Sequence, residues 1–209
     1  MLRLTAFFLL LTGSAFASEV TTLNDIAYKS GDALTEYEQS RCKLDVYLPQ
    51  GAKDFATLVW FHGGGLKAGD KRGTPEDGVK TGIIARSLAA AGIAVVAPNY
   101  RLSPQATFPA YLQDAAAAVA WTQKNISAHG GDPKRIFIGG HSAGGYIALM
   151  LGVDAHYLTD AGVKLASIAG LIPVSGQTLT HYTVREEQGL GKFNITVDAA
   201  SPLHFCGPK

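Results

Sequence analysis

Gly140-His141-Ser142-Ala143-Gly144 sets a serine between two glycines, one residue removed on either side. It stands between an apolar run, Arg135-Ile136-Phe137-Ile138, and the helix-forming run Tyr146 to Leu151. A chain that leaves a strand and enters a helix in so few residues must turn sharply, so the serine backbone is strained and its flanks must be small. The serine oxygen then stands exposed at the strand end, over the positive N-terminus of the helix. That is the setting of a nucleophile. A second cluster follows another apolar run: Thr57 to Phe61 leads directly into His62-Gly63-Gly64-Gly65. Acyl transfer through a tetrahedral intermediate needs N–H donors aimed at a developing oxyanion, and backbone amides converge on one where no side chain intervenes. Either cluster alone would read as a flexible glycine-rich turn. Together, each placed at the end of a strand, they point to acyl transfer.

Around these clusters lie Lys43 to Pro49, Asn99-Tyr100-Arg101-Leu102, Phe108-Pro109-Ala110, Gly131-Asp132-Pro133 and Ser201-Pro202-Leu203. With them the chain resembles the α/β-hydrolase fold and, within it, the HGGG-bearing esterases and lipases, especially small secreted-type carbohydrate-ester and arylformamide hydrolases. The resemblance implies that Ser142 is the nucleophile, that the amides of Gly63, Gly64 and Ala143 form the oxyanion hole, and that a small carboxylic ester is turned over without cofactor or metal. It also nominates His62, Leu66, His141 and His181 as residues near the substrate. Leu66 departs from the aromatic residue usual after HGGG, and Asn99 from the aspartate that often precedes Tyr-Arg. The polar loop Leu66 to Lys80 reads equally as a border of the acyl pocket or as a solvated loop. His181 reads first as a solvated loop histidine and second as a residue facing the substrate or a substitute base, since loops at the carboxyl ends of strands face the site.

The elements that must position these groups alternate. Cys42 to Leu48 reads as a half-exposed strand, and Leu58 to Phe61, Ile93 to Ala97, Ile136 to Ile138 and Leu165 to Val174 as buried ones. Helices are expected near Thr81 to Ala91, Ala110 to Ser127 and Gly144 to Val153, and an irregular stretch precedes Cys42. The expected architecture is therefore an α/β-hydrolase sheet, mostly parallel, with helices on both faces. Asp114, in the first turn of an Ala-rich helix, suits the positive helix end, and Asp132-Pro133 suits a turn; both read as structural.

At the start of the chain, Arg3, the apolar run Leu4 to Leu11 and Ala15-Phe16-Ala17 have the form of a signal peptide, which predicts export with Ser18 as the first mature residue and a single domain over 18–209. The apolar run is too short for a membrane anchor. Removing it leaves basic and acidic residues balanced, so nothing invites nucleic acid or a membrane surface. Cys42 and Cys206 are expected to stay unpaired. In the resembled fold an acid and then a histidine follow the serine, each after a later strand. Here Asp198 to Leu203 reads as the lead-in to the first of those strands, so the sheet is expected to lack its last strands, and the acid and the base with them. The strand near Leu165 to Val174 would then form an exposed edge open to self-association. This leaves two readings, an impaired serine hydrolase or a non-catalytic fragment that binds without turnover.

Overall fold

The computed structural model describes residues 19–73 and 80–207. The expected leader, Arg3 to Ala17 with cleavage before Ser18, lies outside them, as does the middle of the polar loop after Leu66.

Six strands form one sheet: β1 (Val20–Ala27), β2 (Lys43–Pro49), β3 (Phe55–Phe61), β4 (Ala94–Pro98), β5 (Gly131–His141) and β6 (Gly170–Val174). Their spatial order is β1-β2-β4-β3-β5-β6. β2 is antiparallel to both its neighbours, whereas β4, β3, β5 and β6 pair in parallel. The strands alternate faces as the pleat requires. Val59, Phe61, Val96 and Ile138 point into the larger core, beneath helices α3 (Ala110–Asn125) and α4 (Ala143–Val153); Leu58, Trp60, Val95 and Phe137 point to the other face, under α2 (Thr81–Ala90). The expected mostly parallel sheet, with helices on both faces, is the observed one.

Several local expectations are corrected. The stretch before Cys42 holds β1 and a short helix, α1 (Glu36–Arg41). β1 escaped the period-2 pattern because its register shifts between Leu23 and Ile26, where Asp25 takes φ 55°. The start of α1 was legible: Thr35 and Glu38 form a complete capping box. The last strand begins only at Gly170, where pairing to Phe137 starts; Leu165 to Ser167 make a 3₁₀ turn, and Leu165 and Ile168 pack on the core. β6 is the outer strand on its side of the sheet, with Leu171, Ile172 and Val174 exposed. Asp132-Pro133 lies within β5, where the ladder to β3 is irregular and Asp132 Oδ1 accepts the Lys134 N–H at 2.8 Å. Asp114 sits in the second turn of α3, not the first, and is fully buried. It accepts bidentate bonds from Arg101 at 2.8 Å each and pairs with Lys29, so it joins chain segments and does not serve a helix end. Both cysteines are free thiols. Burial pushes the Cys42 thiol up to about 11.

Candidate active site

Ser142 occupies the junction of β5 and α4 with φ 54° and ψ −114°, a conformation costly for a residue with a Cβ. The surroundings enforce it. The Ser142 N–H donates to the Val174 carbonyl of β6 at 2.8 Å. A Cβ on Gly144 would run into the Phe61 carbonyl at the end of β3, and one on Gly140 would lie 2.6 Å from the same oxygen. The glycines of the pentapeptide are thus set by how closely α4 crosses the strand ends. The Ser142 side chain does not cap α4, so the first-turn amides of the helix, Ala143's among them, donate no hydrogen bond to it.

The HGGG loop passes directly over this turn. A Cβ placed on Gly63 would lie 3.6 Å from Ser142 Cβ and 3.3 Å from the His141 carbonyl. Gly64 has φ 104°, with the Ala68 carbonyl where a side chain would go, so only glycine fits.

His62 fixes the orientation of the loop. It is buried, and its ring stacks on Tyr100 with centroids 4.4 Å apart, while the Tyr100 hydroxyl donates to the His62 carbonyl at 2.8 Å. Arg41 Nη2 lies 3.2 Å from His62 Nε2 and donates to the Gly69 carbonyl at 2.7 Å; Arg41 Nε donates to the Tyr100 carbonyl. A guanidinium can only donate, so Nε2 must carry the lone pair and Nδ1 the proton. Nδ1–H then donates to the Gly63 carbonyl at 2.7 Å. Across a trans peptide the Gly64 N–H leaves on the side opposite that carbonyl, away from the imidazole. The sequence nominated His62 and missed Arg41, whose only signal was its place in a short capped helix.

A charged cluster braces the same loop from below. Lys71 pairs with Asp25 at 2.7 Å and Asp45 at 2.8 Å, and Arg72 Nε with Asp45 at 2.7 Å. Lys71 and Arg72 hold the Asp25 carboxyl down to about 2. Asn99 Oδ1 accepts the Lys71 N–H at 2.7 Å and its Nδ2 donates to Asp70 at 2.8 Å. An aspartate there could accept but not donate, and would face Asp70 as a like charge. The departure at Asn99 therefore has a physical role.

Of the other residues nominated near the substrate, Leu66 turns into the core with φ 62° and is fully buried. His141 is partly exposed beside the loop. His181 is buried rather than solvated: it caps α6 (Tyr182–Glu187), its Nδ1 accepting the Thr183 N–H at 3.2 Å, and its ring lies 5.1 Å from that of Tyr146. Thr183 in turn donates to the Gly65 carbonyl at 2.5 Å, so α6 packs against the HGGG loop. With Nδ1 accepting, the neutral ring carries its proton on Nε2 and has no lone pair there for a serine proton. Burial, aided by Arg185, pushes its pKa down to about 4. His156 pairs with Asp154 at 2.5 Å, but at the far end of α4, about 16 Å along the helix from Ser142. His204 is exposed in a C-terminal 3₁₀ turn, and His129 precedes β5 at its opposite end. Among the described residues, no histidine–carboxylate pair stands beside Ser142.

Burial of neutral His181 carries a pH signature. Between about 6.5 and 4 the unfolded chain takes up a proton that the folded one refuses, so this contribution is intact above pH 6.5 and is lost as pH falls toward 4. Urea unfolding at pH 7.5 and 4.5 should show a stability difference that shrinks by about 2–3 kcal/mol in His181→Asn, which keeps a capping acceptor. An unchanged difference would place the histidine in water.

The sequence profile of the BD-FAE family matches residues 44–207. The carboxylesterase NlhH of Mycobacterium tuberculosis is 33% identical over 157 residues, which cover 74% of this chain and 43% of the relative. The chain thus spans less than half of that protein's length. Among solved structures, a bacterial heroin esterase is 26% identical with a TM-score of 0.53, over 74% of this chain and 44% of its own. A truncated carbohydrate esterase from gut microbiota superposes with a TM-score of 0.66 at 22% identity, over 90% of this chain and 73% of its own, a likeness of fold.

Proposed function

This chain belongs to the BD-FAE family of α/β-hydrolase esterases, and from that premise we propose that it hydrolyses small carboxylic esters through an acyl-enzyme on Ser142. The observation that carries the reading is the strained Ser142 at the head of uncapped α4, with Gly63 passing over it. In this scheme the serine oxygen attacks the ester carbonyl and the amides of Gly63, Gly64 and Ala143 hold the oxyanion. Alcohol then departs and water releases the acid. His62, held by Arg41 and Tyr100, is a positioning residue for the Gly63-Gly64 peptide. The acyl group is small, and sugar esters and aryl formamides are both candidate substrates.

Turnover by these residues alone is impaired, because a serine hydroxyl is a weak nucleophile without a base and none of the described histidines is placed to act as one. The second reading, a site that binds esters without turning them over, rests on the same observation. The chain is exported after cleavage before Ser18. The exposed β6 edge, with Leu171, Ile172 and Val174, favours self-association.

Treatment of the chain, extended by the C-terminal segment of a full-length esterase relative, with a fluorophosphonate followed by peptide mass spectrometry tests the assignment. The adduct is expected on Ser142 and absent in Ser142→Ala, and Gly64→Val should slow its formation by about 10²-fold, the scale for loss of one oxyanion donor. An adduct on any other residue removes Ser142 from this role.

A further inference from the structure

At the carboxyl end of β6 the chain walls a cavity of about 480 Å³, bordered by Gly176, Leu179, Phe193 and Ile195 together with Arg185 and Lys192. It lies next to the serine turn, two residues beyond the Val174 carbonyl that holds the Ser142 N–H. Arg185 is 8% exposed. Its Nη2 donates to the Lys192 carbonyl at 2.6 Å, and its Nε is buried with no partner.

Among the described residues no carboxylate forms an ion pair with this guanidinium, which sets it apart from the other enclosed cations. Lys71 has Asp25 and Asp45, Arg101 has Asp114 and Glu38, and Arg41 has Asp70. None of the acidic groups near Arg185 in sequence forms an ion pair with it. Glu186 pairs with Lys67, with Arg185 adding a smaller electrostatic pull; Glu187 accepts the Phe108 N–H through Oε2, its Oε1 being buried without a partner; and Asp198 accepts from Thr180, Gln188 and the Ala200 N–H. A guanidinium taken out of water without a counter-charge is costly, so an arrangement of this kind is retained where an anion arrives from solution. The rim adds a second character: Phe193 is 89% exposed and Ile195 74%.

We propose that this cavity binds an organic carboxylate with an apolar body. Arg185 offers the carboxylate its Nη donors, Lys192, its ammonium over the Tyr182 ring at 5.2 Å, adds positive charge to the lining, and the apolar part lies against Phe193 and Ile195. The site goes beyond the ester-hydrolysis reading and stands without it, since no step involves Ser142.

Calorimetric titration with 3-phenylpropionate and with its neutral amide tests the proposal on the whole chain. The acid should bind at least about tenfold more tightly than the amide, and 0.5 M salt should reduce that preference. Arg185→Gln should abolish it. Phe193→Ser, at an exposed position, should weaken both ligands several-fold while leaving the fold intact, so the test survives even if the arginine variant does not fold. Lys124→Gln, on α3 and away from the cavity, should change nothing. Equal binding of acid and amide, absence of binding at millimolar concentration, or a preference that persists in Arg185→Gln would each overturn the proposal. Fluorophosphonate labelling of Ser142 reads the hydrolase assignment separately, so the two can fail independently.

Discussion

Fused to the C-terminal segment of a full-length esterase relative, this chain should hydrolyse p-nitrophenyl acetate at least about 10³-fold faster than it does alone. On the proposed assignment the serine turn and the glycine loop supply the nucleophile and the oxyanion donors. A slow background from the chain alone is therefore expected, since an oxyanion hole without its triad still gives ~10³-fold over water. The missing contribution is proton removal as the serine attacks. His181 does not supply it: its accepting nitrogen is committed to the Thr183 N–H, and its pKa of about 4 makes it a poor base. Ser142→Ala should abolish the fast reaction of the fused form, and His181→Ala should leave it within a few-fold. A chain that is fast unaided, and loses that rate in both alanine variants, would make His181 the base.

Asp114→Ala should destabilise the fold by about 3–5 kcal/mol, read as a lowered urea midpoint with unchanged slope. The carboxylate is fully buried and holds Lys29 beyond β1, both the guanidinium and the backbone N–H of Arg101 beyond β4, and its own helix α3. Its removal leaves Lys29 and Arg101 to share a single carboxylate, Glu38, at 3.2 Å from each. Asp114→Leu combined with Arg101→Met should recover much of the loss, because the cost lies in the unpaired charges and not in the absence of the pair. A loss under 1 kcal/mol from the single substitution would mean that water reaches the site.

The sheet and its two glycine motifs were readable because their signals are local. Buried parallel strands are continuous apolar runs, and a strand that must turn under a crossing helix needs small residues at fixed spacing. Asp114 was recognised as structural but for the wrong reason, since a helix-end role can be inferred from neighbouring residues whereas its partners Lys29 and Arg101 come from other segments. β1 was missed because Asn24-Asp25 interrupts its alternation at the bulge, and Arg41 because its contacts with His62 and Gly69 are long-range. His181 was misplaced for a related reason. Thr178 to Val184 is polar enough to read as a solvated loop, and only the packing of Thr183 on Gly65 and of the imidazole on Tyr146 buries it.

The bulge in β1 reaches further than its own strand. Asp25 extends from the sheet edge to Lys71 and Arg72, on the loop that leaves the HGGG turn on β3, with β2 and β4 between. Terminal edge strands open more readily than central ones, and regions that share ion pairs open together as one cooperative unit. Fraying of the first strand therefore loosens the loop that shapes the glycine turn, and the lifetime of that turn is tied to the least protected border of the sheet.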